Sequence, residues 1–574
     1  MKTFYNFALC ALAVIVLVLI FGFSRTEPYY GPPADFVIKN AKIVTIDRDN
    51  PRAEAIAAIG EFIVGVGSNE FIEQFIQEGR TEVIDAKRRL VVPGFNDAHC
   101  HFGSINPDYL DLRYITDPKI ITQKVAEKVA EVGPGVLISG GRWEHEMFDD
   151  PKWPTKELLD PVSPNNPVSL SRADGHSVLV NSYVIRQSGI TKDTPDPFGG
   201  EIQRDPVTGE PTGIFKENAK GLLNTRGVRV QRTPEEAEER SMRNWQAAFD
   251  MAARLGVTSV QMPPGGSFER YQQFMDMGKL TMRVYIGGSL TANKSRLQQY
   301  LEREKQYPRS GNWIRWGYLK GFIDGTLGSG TMMVFKPFED EPDKTGLPQM
   351  TYEELENRVV TADAMGFQIG IHAIGPKANY WILNAYETAQ RTNGKRDSRH
   401  RSEHAQILHL DDIPRFAELG VIASMQPTHC ITDKRFCEKR IGFERSDGAY
   451  AWRKLLDAGA KIAFGTDYSV EPLDPLEGLF AGVARQDRFD RSDPSWFPDQ
   501  CLTMEETIRL YTFDSAYAEF MEGRKGMLKE GYLADMVMYD RDLMTIPEIE
   551  IMKSLVDYTI VGGKVVYKRE GVQQ

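Results

Sequence analysis

The middle of this chain alternates short apolar runs with amphipathic helical stretches, and that alternation restricts its fold more than any other feature. FQIGIHAIG (367–375) reads as a buried strand, followed by a helical stretch at 378–390. SEHAQIL from Ser402 comes next, then a helix near 411–419 and VIASMQP from Val421. A helix at 449–458 leads into KIAFGTD at 461–467. Apolar strands separated by helices require a parallel sheet covered by those helices. Successive units ending in polar residues favour an α/β fold of the (β/α)8 TIM-barrel type over a doubly wound sheet. In such a barrel the chemistry sits at the strand C-termini. The barrel is expected over 94–519. Its rhythm breaks around 174–221, where Thr194-Pro195-Asp196-Pro197 and Gly199-Gly200 suggest an insertion shaping the mouth.

Both ends are β-rich instead. DFVIKNAKIVTID (35–47), AIAAIGEFIVGVG (55–67) and VIDAKRRLVVPG (83–94) resemble YLADMVMYD (532–540) and VDYTIVGGKVVY (556–567) in style. Neither end alone has enough strands for a stable core. Residues 35–93 and 520–570 are therefore expected to build one composite β-sandwich domain.

Ahead of these lies FALCALAVIVLVLIFGF at 7–23, 17 residues without a charge. As a helix it would reach roughly 26 Å, just short of a hydrocarbon core. Residues 1–25 thus read as a cleaved signal peptide or an uncleaved hydrophobic anchor helix. The ending Phe21-Gly22-Phe23-Ser24 is a poor cleavage site and favours the anchor. Either reading delivers the remaining chain across a membrane, tethered through 7–23 or released as a secreted or periplasmic protein. A Pro-bearing linker follows at 25–34. Of the 574 residues, 41% are apolar and 26% charged, which excludes a disordered or coiled-coil protein. The net charge of −11, without a basic run, offers nucleic acid no electrostatic footprint. Five cysteines make no disulfide framework, and the oligomeric state is left open.

There are nine histidines, so their placement is informative. His99 and His101 lie two apart at the end of an apolar strand, so both imidazoles point to one face and can reach one metal ion. An HxH pair alone is a weak signal, equally compatible with a polar surface loop. His372 ends FQIGIH, His404 lies in RSEHAQ, and Asp467 ends KIAFGTD. Four histidines and an aspartate at successive strand ends point to a metal site. Lys320, in RWGYLKGFIDGTLGSG, shares a strand face with Tyr318 and Phe322. A lone buried ammonium is costly. Lys320 either snorkels out at the barrel top or is carbamylated into an anionic oxygen ligand. His176, in DGHSVLVNS, either orients substrate or packs near a helix cap at Asn181; Glu217, in GIFKENA, is a weaker substrate-binding candidate. His145, His400, His409 and His429 read as structural or surface residues, with His429 the one to reconsider.

The stretches PGFNDAHCHFG, DGHSVLVNS, TPDPFGGEI, LKGFIDGTLGSG, GIHAIG, SEHAQ, AFGTDYSVEPLDP and LKEGYLADMVMYD…VGGKVVY together resemble the amidohydrolase superfamily. Within it they resemble the amidohydrolase-3 group of YtcJ-like and N-substituted formamide deformylase-like proteins. The resemblance covers nearly everything after residue 35. It implies a metal-dependent barrel in which His99, His101 and Asp467 hold a first cation, and His372 and His404 a second. Lys320 falls where family members carry a carboxylated lysine. The implied cofactor is one or two divalent ions, zinc first among them. The implied reaction is hydrolysis of a non-peptide carbon–nitrogen bond, of amide or formamide type, in a small-molecule substrate. A metal-activated water would attack, with Asp467 as general base and then acid. An ester or lactone hydrolase on the same site, and a tethered binding protein without turnover, stand as alternatives. The sequence departs from the family at Pro376, where relatives usually carry Asp, and at Tyr468-Ser469, where Trp-Pro is common.

Overall fold

The computed structural model describes residues 29, 31–228, 232–490 and 492–572. Eight strands form its central sheet: β1 (Phe95–Asp97), β2 (Val257–Met262), β3 (Arg283–Ser289), β4 (Ile314–Phe322), β5 (Ile369–Ala373), β6 (Arg401–His404), β7 (Ile422–Met425) and β8 (Lys461–Phe464). Each pairs in parallel with the next. Ala98 N–H donates to Phe464 O (3.0 Å) and Asp467 N–H to His99 O (2.7 Å), so β1 and β8 meet and the sheet curls into a TIM barrel. Nearly every strand residue is buried, as a sheet covered by helices requires.

The helices start where local chemistry allows. Helix α1 (Pro234–Arg254) opens on a capping box, in which Thr233 and Glu236 satisfy each other's backbone N–H. Helix α2 (Tyr352–Ala364) is capped by Thr351, and α3 (Pro376–Asn393) begins on Pro376 itself. Proline suits that first helical position because its missing N–H would have had no partner there. Helix α4 (Pro427–Ile441) also starts on proline, directly after β7.

The insertion is wider than 174–221. A six-stranded sheet made of Leu110–Asp111, Ile138–Trp143, Val168–Arg172, Ser177–Val180, Pro211–Glu217 and Gly200–Arg204 fills the gap between β1 and α1. Its first three strands are parallel, with the helix Lys119–Val132 between the first two. That repeats the barrel's own βα rhythm, so periodicity alone does not separate them. The two are distinguished by pairing, because these strands bond to one another and not to the barrel.

Leu90–Pro93 pairs in parallel with Lys42–Val44 and antiparallel with Met536–Tyr539, so both chain ends share one six-stranded sheet. A four-stranded sheet of Phe62–Gly67, Ala55–Ile59, Phe36–Lys39 and Glu82–Asp85 packs on it through Ile38, Ile56, Ile84, Met536 and Met538. Arg283 on β3 locks barrel to terminal sheet by a bidentate pair with Asp535 (2.7 and 2.9 Å), both buried. Among the described residues no helix is long and apolar enough to cross a membrane. The apolar run at 7–23, read as signal or anchor, lies outside the described residues.

Candidate metal centre

Asp97 ends β1 and ties it to the segment after β8. It accepts from His99 N–H (3.1 Å), Thr466 N–H (2.9 Å) and the Thr466 hydroxyl. Gly465 lets these segments approach, since a Cβ there would lie 2.5 Å from His99 N and 2.6 Å from Asp97 Oδ1. The clamp delivers His99, His101 and Asp467 to one place. His101 Nε2 is 3.2 Å and His99 Nε2 3.6 Å from Asp467 Oδ1, and the candidate ligand atoms of all three lie within 4.8 Å of one another. Asp467 Oδ1 is buried without a hydrogen-bond partner. Burial alone would raise the Asp467 carboxyl, but His101 and the imidazoles of His99 and His404 hold it well below the usual range.

His99 is fully buried, and its Nδ1 lies 2.5 Å from Glu403 Oε2. The Nδ1–H therefore donates to the carboxylate, leaving the Nε2 lone pair facing Asp467 and Lys320. Burial, aided by the Lys320 charge, pushes His99 down to about 4 against the pull of Glu403. A neutral imidazole is the form a metal ion needs. Arg401, two residues before Glu403 on β6, holds that carboxylate at 2.6 Å. The arrangement repeats at His404, whose Nδ1–H donates to Gln426 Oε1 at 2.8 Å. Ser402 bonds Asn379 on α3, so strand alternation would aim His404 at the helices too. A φ of +82° at His404 and +45° at Ala405 turns the ring into the mouth instead, 4.8 Å from His99 between ring centres. Such backbone strain gathers at functional sites.

Lys320 is buried, not snorkelled; its Nζ lies 3.2 Å from His99 Nε2, and burial pushes it down to about 8. The His372 ring lies 4.5 Å from that of His404, while its Nε2–H donates to Gly325 O at 3.1 Å. A second cluster of close ligand atoms joins His404 and Asp467 with His429, not with His372. His429, the histidine to reconsider after strand seven, comes from the first turn of α4. Asp324, inside the LKGFIDGTLGSG stretch but not singled out there, accepts from the N–H groups of Met333, Ile374 and Gly375. It thereby supplies a carboxylate at the start of α3, beside Pro376.

The insertion sheet closes the mouth. Ser177 and Lys216 are antiparallel neighbours, which sets His176 and Glu217 side by side; His176 Nδ1 lies 2.8 Å from Glu217 Oε2. Burial lowers His176, but the Glu217 charge outweighs it and raises the imidazole above its ordinary value. Its ring stands 4.9 Å from that of His372, whereas Asn181 caps its own helix without it. His400 is structural: Nδ1 accepts from Ile369 N–H (3.2 Å), so Nε2–H donates to Asp363 (3.1 Å). A cavity of about 550 Å³ opens over His101, His176, Glu217, Lys320 and Phe322. It meets an inner chamber of about 60 Å³ at His372, His404 and Asp467.

Known proteins resemble this chain in sequence and fold. The amidohydrolase family model matches residues 82–567. Protein LONG AFTER FAR-RED 3 of Arabidopsis thaliana is 32% identical, over 95% of this chain and 93% of its own. N-substituted formamide deformylase of Arthrobacter pascens is 27% identical, over 94% and 99%. An uncharacterized metal-dependent hydrolase from Pyrococcus horikoshii OT3 superposes with a TM-score of 0.68 at 25% identity, over 89% and 99%. The chain belongs to the amidohydrolase family and is a hydrolase of carbon–nitrogen bonds.

Proposed function

We propose that this protein hydrolyses a non-peptide amide or formamide bond of a small molecule in the barrel mouth. The observation that carries the reading is the convergence of His99, His101 and Asp467 within 4.8 Å, with Asp467 Oδ1 buried and unpartnered. Neutral imidazoles and an anionic carboxylate are a donor set suited to a divalent cation such as zinc. His99, His101 and Asp467 would hold one ion. His404, with His372 beside it, would hold another, and Lys320, with Nζ 3.2 Å from His99 Nε2, is the candidate carboxylated lysine. A cation bound there supplies Lewis-acid activation of water and of the scissile carbonyl.

The chain's own groups do the rest. Asp467 takes the proton of the attacking water at its carboxylate and returns it to the leaving nitrogen. Glu403 keeps the Nε2 lone pair of His99 turned inward, and Gln426 holds the His404 ring through Nδ1. His176, held by Glu217, presents a polar edge to the substrate from the insertion sheet. The formamide deformylase relative supports the amide-type substrate, and the Pyrococcus neighbour supports metal dependence.

The test is metal content of the purified chain, with a panel of N-acyl, formamide and ester substrates before and after chelation. Bound metal, with chelator-sensitive release of amine from amides, is expected. A metal-free protein that cleaves amides undiminished, or a metal-loaded one that cleaves only esters, would refute the reading.

A further inference from the structure

The inner chamber adjoins the metal centre at His372, His404 and Asp467, and α4 forms one of its walls. His429, Thr432, Asp433 and Phe436 all line it, a spacing of three, four and seven residues that puts them on one helix face. Asp467 belongs to the metal centre, and three other acids of the chamber are matched. Glu144 and Asp174 each lie 2.5 Å from the buried Arg172 guanidinium, and Glu471 is 3.0 Å from Arg488. Asp433 differs. It accepts from the Tyr450 hydroxyl at 2.6 Å, and among the described residues no cation lies within ion-pair distance of it. Partial burial pushes its carboxyl up to about 6, and its side chain faces the chamber without a cationic partner.

A second observation comes from one helical turn earlier. His429 is 93% buried, and its Nε2 has no hydrogen-bond partner. Gln406 Nε2–H donates to its Nδ1 at 2.8 Å, which leaves the ring proton on Nε2 as a free donor. That nitrogen stands 3.8 Å from Asp467 Oδ2, where a scissile carbonyl belongs. The chamber thus offers a donor near the reacting carbon and an anion about one turn away.

We propose that this chamber is the acyl subsite and selects a small acyl group with an ammonium beside its carbonyl, Asp433 serving as counter-charge and His429 Nε2–H meeting the carbonyl oxygen. The small volume and the Phe436 wall exclude bulky acyl side chains. The leaving amine then occupies the larger outer cavity. This inference rests on the proposed amide hydrolysis and names the substrate class for it.

The test compares glycyl 4-nitroanilide with propionyl 4-nitroanilide, which differ only in ammonium against methyl. The full-length enzyme should favour the glycyl compound by roughly tenfold or more in kcat/KM, and Asp433→Asn should bring the ratio close to one. Equal kcat/KM for the two anilides in the unmodified enzyme overturns the proposal. Binding is read separately, by calorimetry with glycinamide and propionamide on the metal-loaded Asp467→Asn chain, where turnover is removed. Tighter binding of glycinamide supports the subsite even if neither anilide is cleaved, in which case the hydrolase reading alone fails. Equal affinity for the two amides overturns the subsite without any change at Asp433.

Discussion

The proton on His99 sits on Nδ1 because a carboxylate lies 2.5 Å away, and this decides which nitrogen faces Asp467. Glu403→Gln keeps the shape but removes the charge that fixes the tautomer. Affinity for zinc should fall roughly 10- to 100-fold, read by titration against a competing chelator. Unchanged affinity would mean that Glu403 serves only Arg401. Asp467→Asn tests the base itself. Hydrolysis should fall by roughly 10² to 10⁴ while the near-ultraviolet circular dichroism stays native. Near-normal turnover in that variant would remove Asp467 from the chemistry.

Elements are held in place by polar clamps as much as by apolar packing. Asp363 near the end of α2 accepts from Asn393 (2.9 Å) at the end of α3, from Arg396 (2.9 Å) and from His400 (3.1 Å) just before β6. Burial opposes its charge, but these donors outweigh it and lower Asp363 from 3.8 to about 2. A carboxylate lowered in the folded state adds stability that is complete above its unfolded value. That stability is lost as the pH falls through the folded one. The contribution, roughly 2 kcal/mol, should disappear between about pH 4 and pH 2. Urea unfolding across that window should show a shallower pH slope in Asp363→Asn than in the parent. Identical slopes would show that the clamp does not titrate as described.

At the scale of the whole molecule, the barrel depends on a sheet drawn from both chain ends. Arg283 on β3 is fully buried and meets Asp535 beside the terminal sheet through two hydrogen bonds. Removing Asp535 takes away the bidentate partner of a buried charge and leaves Arg283 only the more distant Glu61 carboxylate at 3.5 Å. Asp535→Ala should therefore cost about 2–3 kcal/mol in denaturant unfolding, although Asp535 lies far along the chain from any proposed ligand. A loss below about 1 kcal/mol would show that water reaches Arg283 and that the joint is not sealed. The insertion sheet acts at the opposite side of the design. It brings His176 and Glu217 over the mouth and leaves the larger cavity open between them and the barrel.

Hydrophobic period and strand-end polarity are local properties, so the sequence alone determined the alternating barrel units. The placement of His99, His101, His372, His404 and Asp467 at strand ends was legible for the same reason. The β-rich ends were legible too, each too short to stand by itself. Long-range geometry decided the rest. Glu403 reaches His99 across 304 residues, a contact no window of sequence contains. His404 faces the mouth only because its backbone takes a positive φ, against what strand alternation predicts. The insertion begins at Leu110 because its strands pair with one another, and pairing leaves no mark on periodicity. His429, the histidine the sequence left to reconsider, and Asp433, which reads there as an ordinary polar position, join the site from a helix face. Only the packing of α4 against the barrel mouth gives them a chamber to face.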